Sequence, residues 1–144
     1  MLSHSARLAG LAALLLAPLL FALAACEEPA VSDVPFAQVQ QAAAGGDTAF
    51  KDYFPSIKGK KIAWQGQVVE ARRQVEDDYV ATGLLLVDLD GPGEADGEDA
   101  ALKISADDIE SFKPGQPVSV TAIVREYELR NGRLLLKLET KEVK

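Results

Sequence analysis

Histidine and cysteine are almost missing from this 144-residue sequence: the only histidine is His4 and the only cysteine is Cys26. Both lie near the N-terminus, so the chain after Cys26 offers neither an imidazole nor a thiol. This excludes Ser-His-Asp and Cys-His catalysis, zinc sites with His or Cys ligands, and an internal disulfide. No serine has a lysine three positions later, so the Ser-x-x-Lys arrangement is missing too. We therefore predict that the protein is not an enzyme and needs no cofactor; an enzyme would have to work with carboxylates alone.

Charge is nearly absent from residues 1–25, where Arg7 is the only basic residue. The stretch after it, 8–25, is unbroken apolar or small residues with Pro18 in the middle. A short charged region, an apolar region and a small-residue end predict a secretory signal peptide over 1–25. The alternative is a transmembrane helix, since about 18 apolar residues approach a membrane span. The proline, the small residues and the lack of a following Lys or Arg favour the signal peptide.

The end of this stretch, Leu23-Ala24-Ala25-Cys26, resembles the lipobox of bacterial lipoproteins. The resemblance implies cleavage before Cys26, a diacylglyceryl thioether on its sulfur, and the lipid bilayer as a partner. Residues 26–32 would then be a lipidated tether and residues 33–144 a single domain. Glu27, rather than an aspartate, follows the cysteine; by the lipoprotein sorting rule this favours the outer membrane, with the domain facing the periplasm.

Basic residues are outnumbered in this chain. Without Arg7, 14 of the 15 Lys and Arg residues remain against 22 Asp and Glu, so the processed chain has a net charge of −8. An acidic protein repels the phosphate backbone, and export separates the domain from cytoplasmic RNA. We therefore expect no nucleic acid among its partners.

Two hydrophobic periods divide residues 33–144. Up to about residue 58 the apolar residues recur at helical spacing, and from Lys60 onward they alternate as in strands. Helices are predicted at 33–44 and 47–54, strands from 60, at 79–89, 101–105, 117–127 and around 134–138, and a short helix at 106–112. Asn131-Gly132 predicts a type I′ hairpin turn between the last two strands.

This order predicts a mainly β fold: a five-stranded OB-like barrel with one or two short N-terminal helices and a short helix between strands 3 and 4. Gly66 inside the long first strand favours a barrel as well, since glycine permits a sharp bend. A different small β-roll or an open meander is the alternative. Trp64 alternates with Ile62 and is expected in the core rather than on a binding surface.

The segments Phe50 to Phe54, Lys58-Gly59-Lys60-Lys61-Ile62, Trp64-Gln65-Gly66-Gln67-Val68 and Phe112 to Val118 resemble the tRNA-anticodon-like OB-fold family of exported bacterial proteins. In that family a helix leads through Y-x-G-K into x-G-x-V, and G-x-x-V begins the fourth strand. The resemblance covers about residues 35–142 and implies an OB barrel on an exported or lipid-anchored protein. It implies no RNA binding, because the family name records similarity of shape.

OB barrels bind ligands on the face of strands 2 and 3 and with the loops joining strands 1–2 and 4–5. Around those loops the sequence places a rim of mixed charge that suits a protein or a glycan better than a polyphosphate. The candidate ligand or partner residues are Arg72, Arg73, Tyr79, Tyr127, Arg130 and Arg133. The alternative is that the arginines are solvated strand residues and that the tyrosines pack over the barrel end.

An acidic loop over 90–99 contains hard oxygen ligands of the kind that Ca²⁺ uses. Its spacing does not match an EF-hand, because Pro92 stands where a third ligand belongs. We therefore predict a solvated loop and no metal site. If calcium were bound, the candidate ligands would be Asp88, Asp90, Asp96 and Glu98.

Together these features predict a membrane-anchored, non-enzymatic envelope lipoprotein whose OB-like domain binds a protein or a small ligand. One alternative is a purely structural component of an envelope complex. Another is a glycan hydrolase that uses two carboxylates.

Overall fold

A computed structural model describes residues 27–75, 81–90 and 97–144. Five strands form a closed barrel in the order β1-β2-β3-β5-β4, with β4 pairing back onto β1. All neighbours are antiparallel except β3 and β5, which run parallel. This confirms the predicted five-stranded OB-like barrel. The strands are β1 Lys61–Val75, β2 Ala81–Asp88, β3 Ala100–Ser105, β4 Pro117–Arg130 and β5 Arg133–Val143.

Two helices precede the barrel: α1 Phe36–Ala44 and α2 Asp47–Tyr53, which continues into a 3-10 turn at Phe54–Ser56. Helix α1 starts three residues later than predicted, and its N-cap is Pro35, which makes no side-chain capping bond. The physical reason is that a proline disfavours helical geometry in the residue before it. The short helix between β3 and β4 is a 3-10 helix, Ala106–Ser111, capped by the Ser105 hydroxyl.

The barrel interior is filled by alternate residues of all five strands, and α1 and α2 add their apolar faces. Trp64 is 7% exposed and its ring lies 5.2 Å from that of Phe36, so its predicted place in the core is confirmed. The β4–β5 hairpin turns at Asn131 and Gly132, with φ of 53° and 77°, as a type I′ turn requires.

Gly66 lies where β1 bends from β4 toward β2. A Cβ atom built on it would stand 2.2 Å from the carbonyl oxygen of Asp88, a distance that no side chain tolerates. Just after it, the register of β1 against β2 shifts between Val68 and Glu70. The glycine therefore permits the close strand approach that lets β1 pair on both sides.

Within the described ranges, no helix is long and apolar enough to cross a membrane.

Candidate functional site

A groove of about 730 Å³ lies on the outer surface of the sheet and is lined by residues of all five strands. Side chains alternate along a strand, so the residues next to the buried Leu85, Leu102 and Leu136 point outward into this groove. This is the face that OB barrels use for ligands.

The floor of the groove is apolar and consists of Leu84 and Leu86 of β2, Ala101 of β3 and Leu135 of β5. Leu86 and Ala101 are directly paired, and Ala101 is paired in turn with Lys137. Leu86 is 7% exposed, whereas Leu84 and Leu135 are half-buried. Leu84 and Leu86 therefore form an apolar strip on the outer face of β2, at the bottom of the groove.

The walls of the groove carry charge of both signs. The basic side chains are Arg72, Lys103, Arg125 and Lys137, and the acidic ones are Glu98, Glu126 and Glu139. Basic groups therefore slightly outnumber acidic ones here, although the chain as a whole is strongly acidic.

Ion pairs hold several of these groups in place. The Lys137 Nζ atom lies 2.8 Å from Glu128 and 3.6 Å from Glu126, and Arg125 is bonded to Glu139. The hydrogen bond from Lys137 lowers the pKa of Glu128, and hydrogen bonds from Lys141 and Arg125 lower the pKa of Glu139. Both carboxylates thus stay ionised, and the groove presents fixed charges beside an apolar floor.

Five of the six rim residues named from the sequence lie in the described ranges, and these five are spread over different parts of the surface. Arg72 lines the groove, 3.6 Å from Glu70, while Arg73 follows it on the opposite face of β1. Arg130 is paired with Glu128 at 3.1 Å, and Arg133 lines a separate small cavity. Tyr79 lies outside the described residues.

Tyr127, the remaining member of the rim, is half-buried and packs its ring against other aromatic side chains. The ring packs 4.8 Å from Phe50 and 4.6 Å from Phe54, between β4 and α2. The alternative interpretation, a tyrosine packed over the barrel end, describes its place in this structure.

Sequence reasoning missed most of the groove. Its lysines, Lys103 and Lys137, lie in different strands and line the same groove because β3 pairs with β5. One signal was present, however: β2 is apolar on both of its faces, although only one face can point into the barrel.

The small cavity beside Arg133 has a volume of about 130 Å³ and borders a cluster of three aspartates. Oxygens of Asp88, Asp90 and Asp99 lie within 4.8 Å of one another. Asp99 is 8% exposed and accepts hydrogen bonds from the backbone N–H groups of Leu89 (2.8 Å) and Asp90 (3.3 Å). The cluster therefore fixes the backbone at the base of the acidic loop.

The pKa values of two carboxyl groups in this cluster are raised. Burial, a hydrogen bond with Asp88 and the negative charges of Asp99 and Asp88 raise the pKa of Asp90 to about 6. Burial also raises the pKa of Asp99. Gln40 of α1 donates a 2.9 Å hydrogen bond to Asp90 and so connects the cluster to the helix.

The cluster includes two of the four possible calcium ligands, Asp88 and Asp90, and adds Asp99, which was not among them. Glu98 faces the small cavity and the groove, and Asp96 lies outside the described residues. Calcium takes six to eight oxygen ligands, so three carboxylates, one already bonded to two backbone N–H groups, make an incomplete shell.

No family model matches the chain, and no curated protein matches it. The resemblance to the tRNA-anticodon-like OB-fold family thus has no support from a sequence family. A solved structure does match: a "putative nucleic acid-binding lipoprotein" from Klebsiella pneumoniae, with a TM-score of 0.53 and 15% identity, covering 79% of this chain and 90% of that one. At this identity the likeness shows a shared barrel fold.

This neighbour corrects one expectation from the sequence. We expected no nucleic-acid partner, and the description of a lipoprotein of the same fold as nucleic acid-binding contradicts that exclusion. The physical reason lies in the groove: net charge describes the whole surface, whereas the groove walls carry more basic than acidic side chains.

Proposed function

We propose that the protein is a membrane-anchored, non-catalytic envelope lipoprotein whose barrel binds an extended segment of a protein partner in the groove. The observation that carries this proposal is the apolar floor of Leu84, Leu86, Ala101 and Leu135 between walls of paired charges. Apolar contacts supply binding free energy, and fixed charges of both signs select the partner.

The anchor in this proposal is a diacylglyceryl group on Cys26. It is supported by the lipobox-like sequence and, at the level of the fold, by the description of the neighbour as a lipoprotein. Glu27 after the cysteine assigns the outer membrane in our proposal, with the barrel in the periplasm.

A protein segment suits the groove for reasons of size and chemistry. A volume of about 730 Å³ is open along the strands and accommodates several residues of an extended chain. The leucines match apolar side chains, and the alternating wall charges match a segment that carries both signs. None of the described lining residues is aromatic, whereas proteins that bind single-stranded nucleic acid usually stack its bases on aromatic rings.

Single-stranded nucleic acid is the second candidate, and the description of the Klebsiella protein favours it. Arg72, Lys103, Arg125 and Lys137 would then contact phosphates. The two candidates differ in their response to salt: phosphate contacts weaken steeply as salt increases, while apolar contacts do not.

The proposal that the barrel is non-catalytic is supported by the absence of histidine and free thiol after Cys26. The hydrolase alternative would need two carboxylates flanking a sugar. Asp99 is engaged by two backbone N–H groups, and the neighbouring cavity of about 130 Å³ is small for a sugar ring. A purely structural role, the other alternative, requires no ligand in the groove at all.

A photocrosslinking amino acid at Leu135 in living cells tests the proposal, with the same probe at Ala63, an exposed β1 residue outside the groove, as the matched control. We expect a protein adduct from position 135 alone, which Leu84→Glu removes. Anisotropy titrations of the purified protein with labelled oligonucleotides at low and high salt run in parallel. Tight, salt-sensitive oligonucleotide binding without a protein adduct would replace the first candidate with the second. Neither adduct nor binding would favour the structural role.

A further inference from the structure

The chain between the proposed anchor and α1 lies against the barrel. Val31 forms a parallel bridge with Lys61 at the start of β1, and the Ser32 N–H donates a 2.7 Å hydrogen bond to the carbonyl oxygen of Lys61. Farther back, the Glu28 carboxylate lies 3.4 Å from Lys61 Nζ and 3.8 Å from Lys141 Nζ. The tether is therefore attached to the barrel only two residues after Cys26.

This short distance limits how far the barrel can stand from a bilayer. Two extended residues span about 7 Å. The headgroup layer on each side of a bilayer is also roughly 5–7 Å thick, the difference between the hydrocarbon core and the full membrane. If the lipid on Cys26 is inserted in the bilayer, residues 27–28 cross the headgroup layer. The protein surface that contacts Glu28 then lies directly on the headgroups.

That surface is basic. Lys61 and Lys141 hold Glu28, and the exposed Lys58 and Lys60 precede Lys61 along the chain; we call these four lysines the basic end. Backbone hydrogen bonds from Gly59 to Val124 (2.8 Å) and from Val124 to Lys60 (3.0 Å) fix the lysine segment beside β4. Lys58 and Lys60 are exposed; among nearby acidic groups Glu28 and Glu139 are each paired with a lysine of the basic end, and Glu27 is exposed on the tether beside Glu28.

We propose that the basic end binds the headgroups of anionic phospholipids and holds the barrel in one orientation on the membrane. The inference rests on the proposed lipidation of Cys26. It adds a lipid-binding surface that is separate from the groove. Because Lys141 is bonded to Glu139 at 2.8 Å, and Glu139 lines the groove, this orientation places one end of the groove at the membrane surface.

The test uses the full chain, processed in a bacterial host and reconstituted into vesicles of phosphatidylcholine alone or with phosphatidylglycerol. A polarity-sensitive dye is attached to Ser56→Cys, next to the basic end, or to Ser111→Cys as a reference. Ser111 lies far from the basic end. Ile109, two residues before it, lies beside Gly83 of β2, and Gly83 pairs with Arg73 near the other end of β1. A lipidated Cys26 has no free thiol, so the unsubstituted protein takes up no dye.

We expect a blue shift of the dye at position 56 on anionic vesicles, its reversal by salt, and no shift at position 111. Lys58→Gln with Lys60→Gln removes two of the four lysines and lowers the attraction by about half. The matched control, Arg73→Gln with Lys113→Gln, changes the net charge equally and leaves the shift intact.

Equal emission from both vesicle types, or equal shifts at both positions, would overturn the orientation while leaving the anchor in place. A second outcome would overturn the anchor and the orientation together: the protein does not co-float with either vesicle type in a density gradient, and the unsubstituted chain takes up dye at Cys26.

Discussion

The indole N–H of Trp64 donates a 2.7 Å hydrogen bond to the carbonyl oxygen of Val34. This bond connects the first strand of the barrel to the segment that precedes α1, two residues before Phe36 packs edge-on against the same indole. One side chain thus fills the core and positions the N-terminal segment.

Trp64→Phe tests that connection. We expect a loss of about 1–2 kcal/mol in the free energy of unfolding, because the hydrogen bond is lost and the smaller ring packs less well. Urea unfolding measures this loss. It is followed by far-UV circular dichroism rather than by fluorescence, because the substitution removes the only tryptophan. Amide exchange at Ser32 should also accelerate. Unchanged exchange there would show that the β1 bridge alone holds the segment.

Gly66→Ala tests the close approach of β1 and β2. An added Cβ would meet the Asp88 carbonyl at 2.2 Å, and the backbone must move to relieve the contact. Overpacking of this kind costs about 1–3 kcal/mol or more, and we expect the upper end. Ala63→Gly, at an exposed position of the same strand, is the control and should cost about 1 kcal/mol or less. Similar losses for the two variants would contradict this reason for the glycine.

Asp90→Asn tests the titration of the aspartate cluster. The pKa of Asp90 is raised to about 6 from an ordinary value of 3.8, so the folded state holds its proton more tightly than the unfolded state. Asp90 therefore lowers stability progressively as the pH rises from about 4 to 6, and this penalty is fully present at pH 7. After allowance for solvent screening, we expect Asp90→Asn to gain about 1 kcal/mol at pH 7 and almost nothing at pH 4.

Thermal unfolding of the two proteins between pH 4 and pH 7 measures this difference. Asp107→Asn, an exposed carboxylate outside the cluster, is the control and should not reproduce the gain at pH 7. A gain that did not grow with pH would show that Asp90 titrates normally.

Lys137→Ala tests the ion pairs of the groove wall. The pKa of Glu128 should rise toward its ordinary value, because the hydrogen bond and the charge of Lys137 both lower it. Exposed pairs contribute little, so we expect the free energy of unfolding to change by less than about 1 kcal/mol. Carbon-13 NMR titration of the glutamate carboxyls measures the pKa; Lys144→Ala, whose partner is Glu142, should leave Glu128 unaffected.

The fold was predictable from the sequence because its determinants are local. The alternation of apolar residues from Ile62, the Asn131-Gly132 turn and the glycine inside β1 each specify their own short segment, and the OB topology follows from their order. Helix α1 starts later than predicted because Pro35 disfavours helical geometry in Val34, the residue before it.

The candidate site was less predictable because it depends on contacts between distant parts of the chain. Lys103 and Lys137 line the same groove only because β3 pairs with β5. Asp99 comes beside Asp88 because β3 pairs with β2, where the Asp99 N–H donates a 2.9 Å hydrogen bond to the carbonyl oxygen of Val87. The sequence offered Tyr127 as a rim candidate or a packed residue, and its contacts with Phe50 and Phe54 could not be read locally because those residues lie more than 70 positions earlier.

The short parallel pairing between β3 and β5 is expected to make this part of the barrel sensitive to a bound ligand. Only three residue pairs, 100–102 with 136–138, join these strands, whereas β4 and β5 pair over ten. The groove floor straddles this pairing, with Ala101 on one side and Leu135 on the other. A ligand in the groove would therefore contact both β3 and β5, the two neighbouring strands with the fewest paired residues. We therefore expect amide exchange in β3 to slow as the groove is occupied, and this slowing would detect a ligand before its chemistry is known.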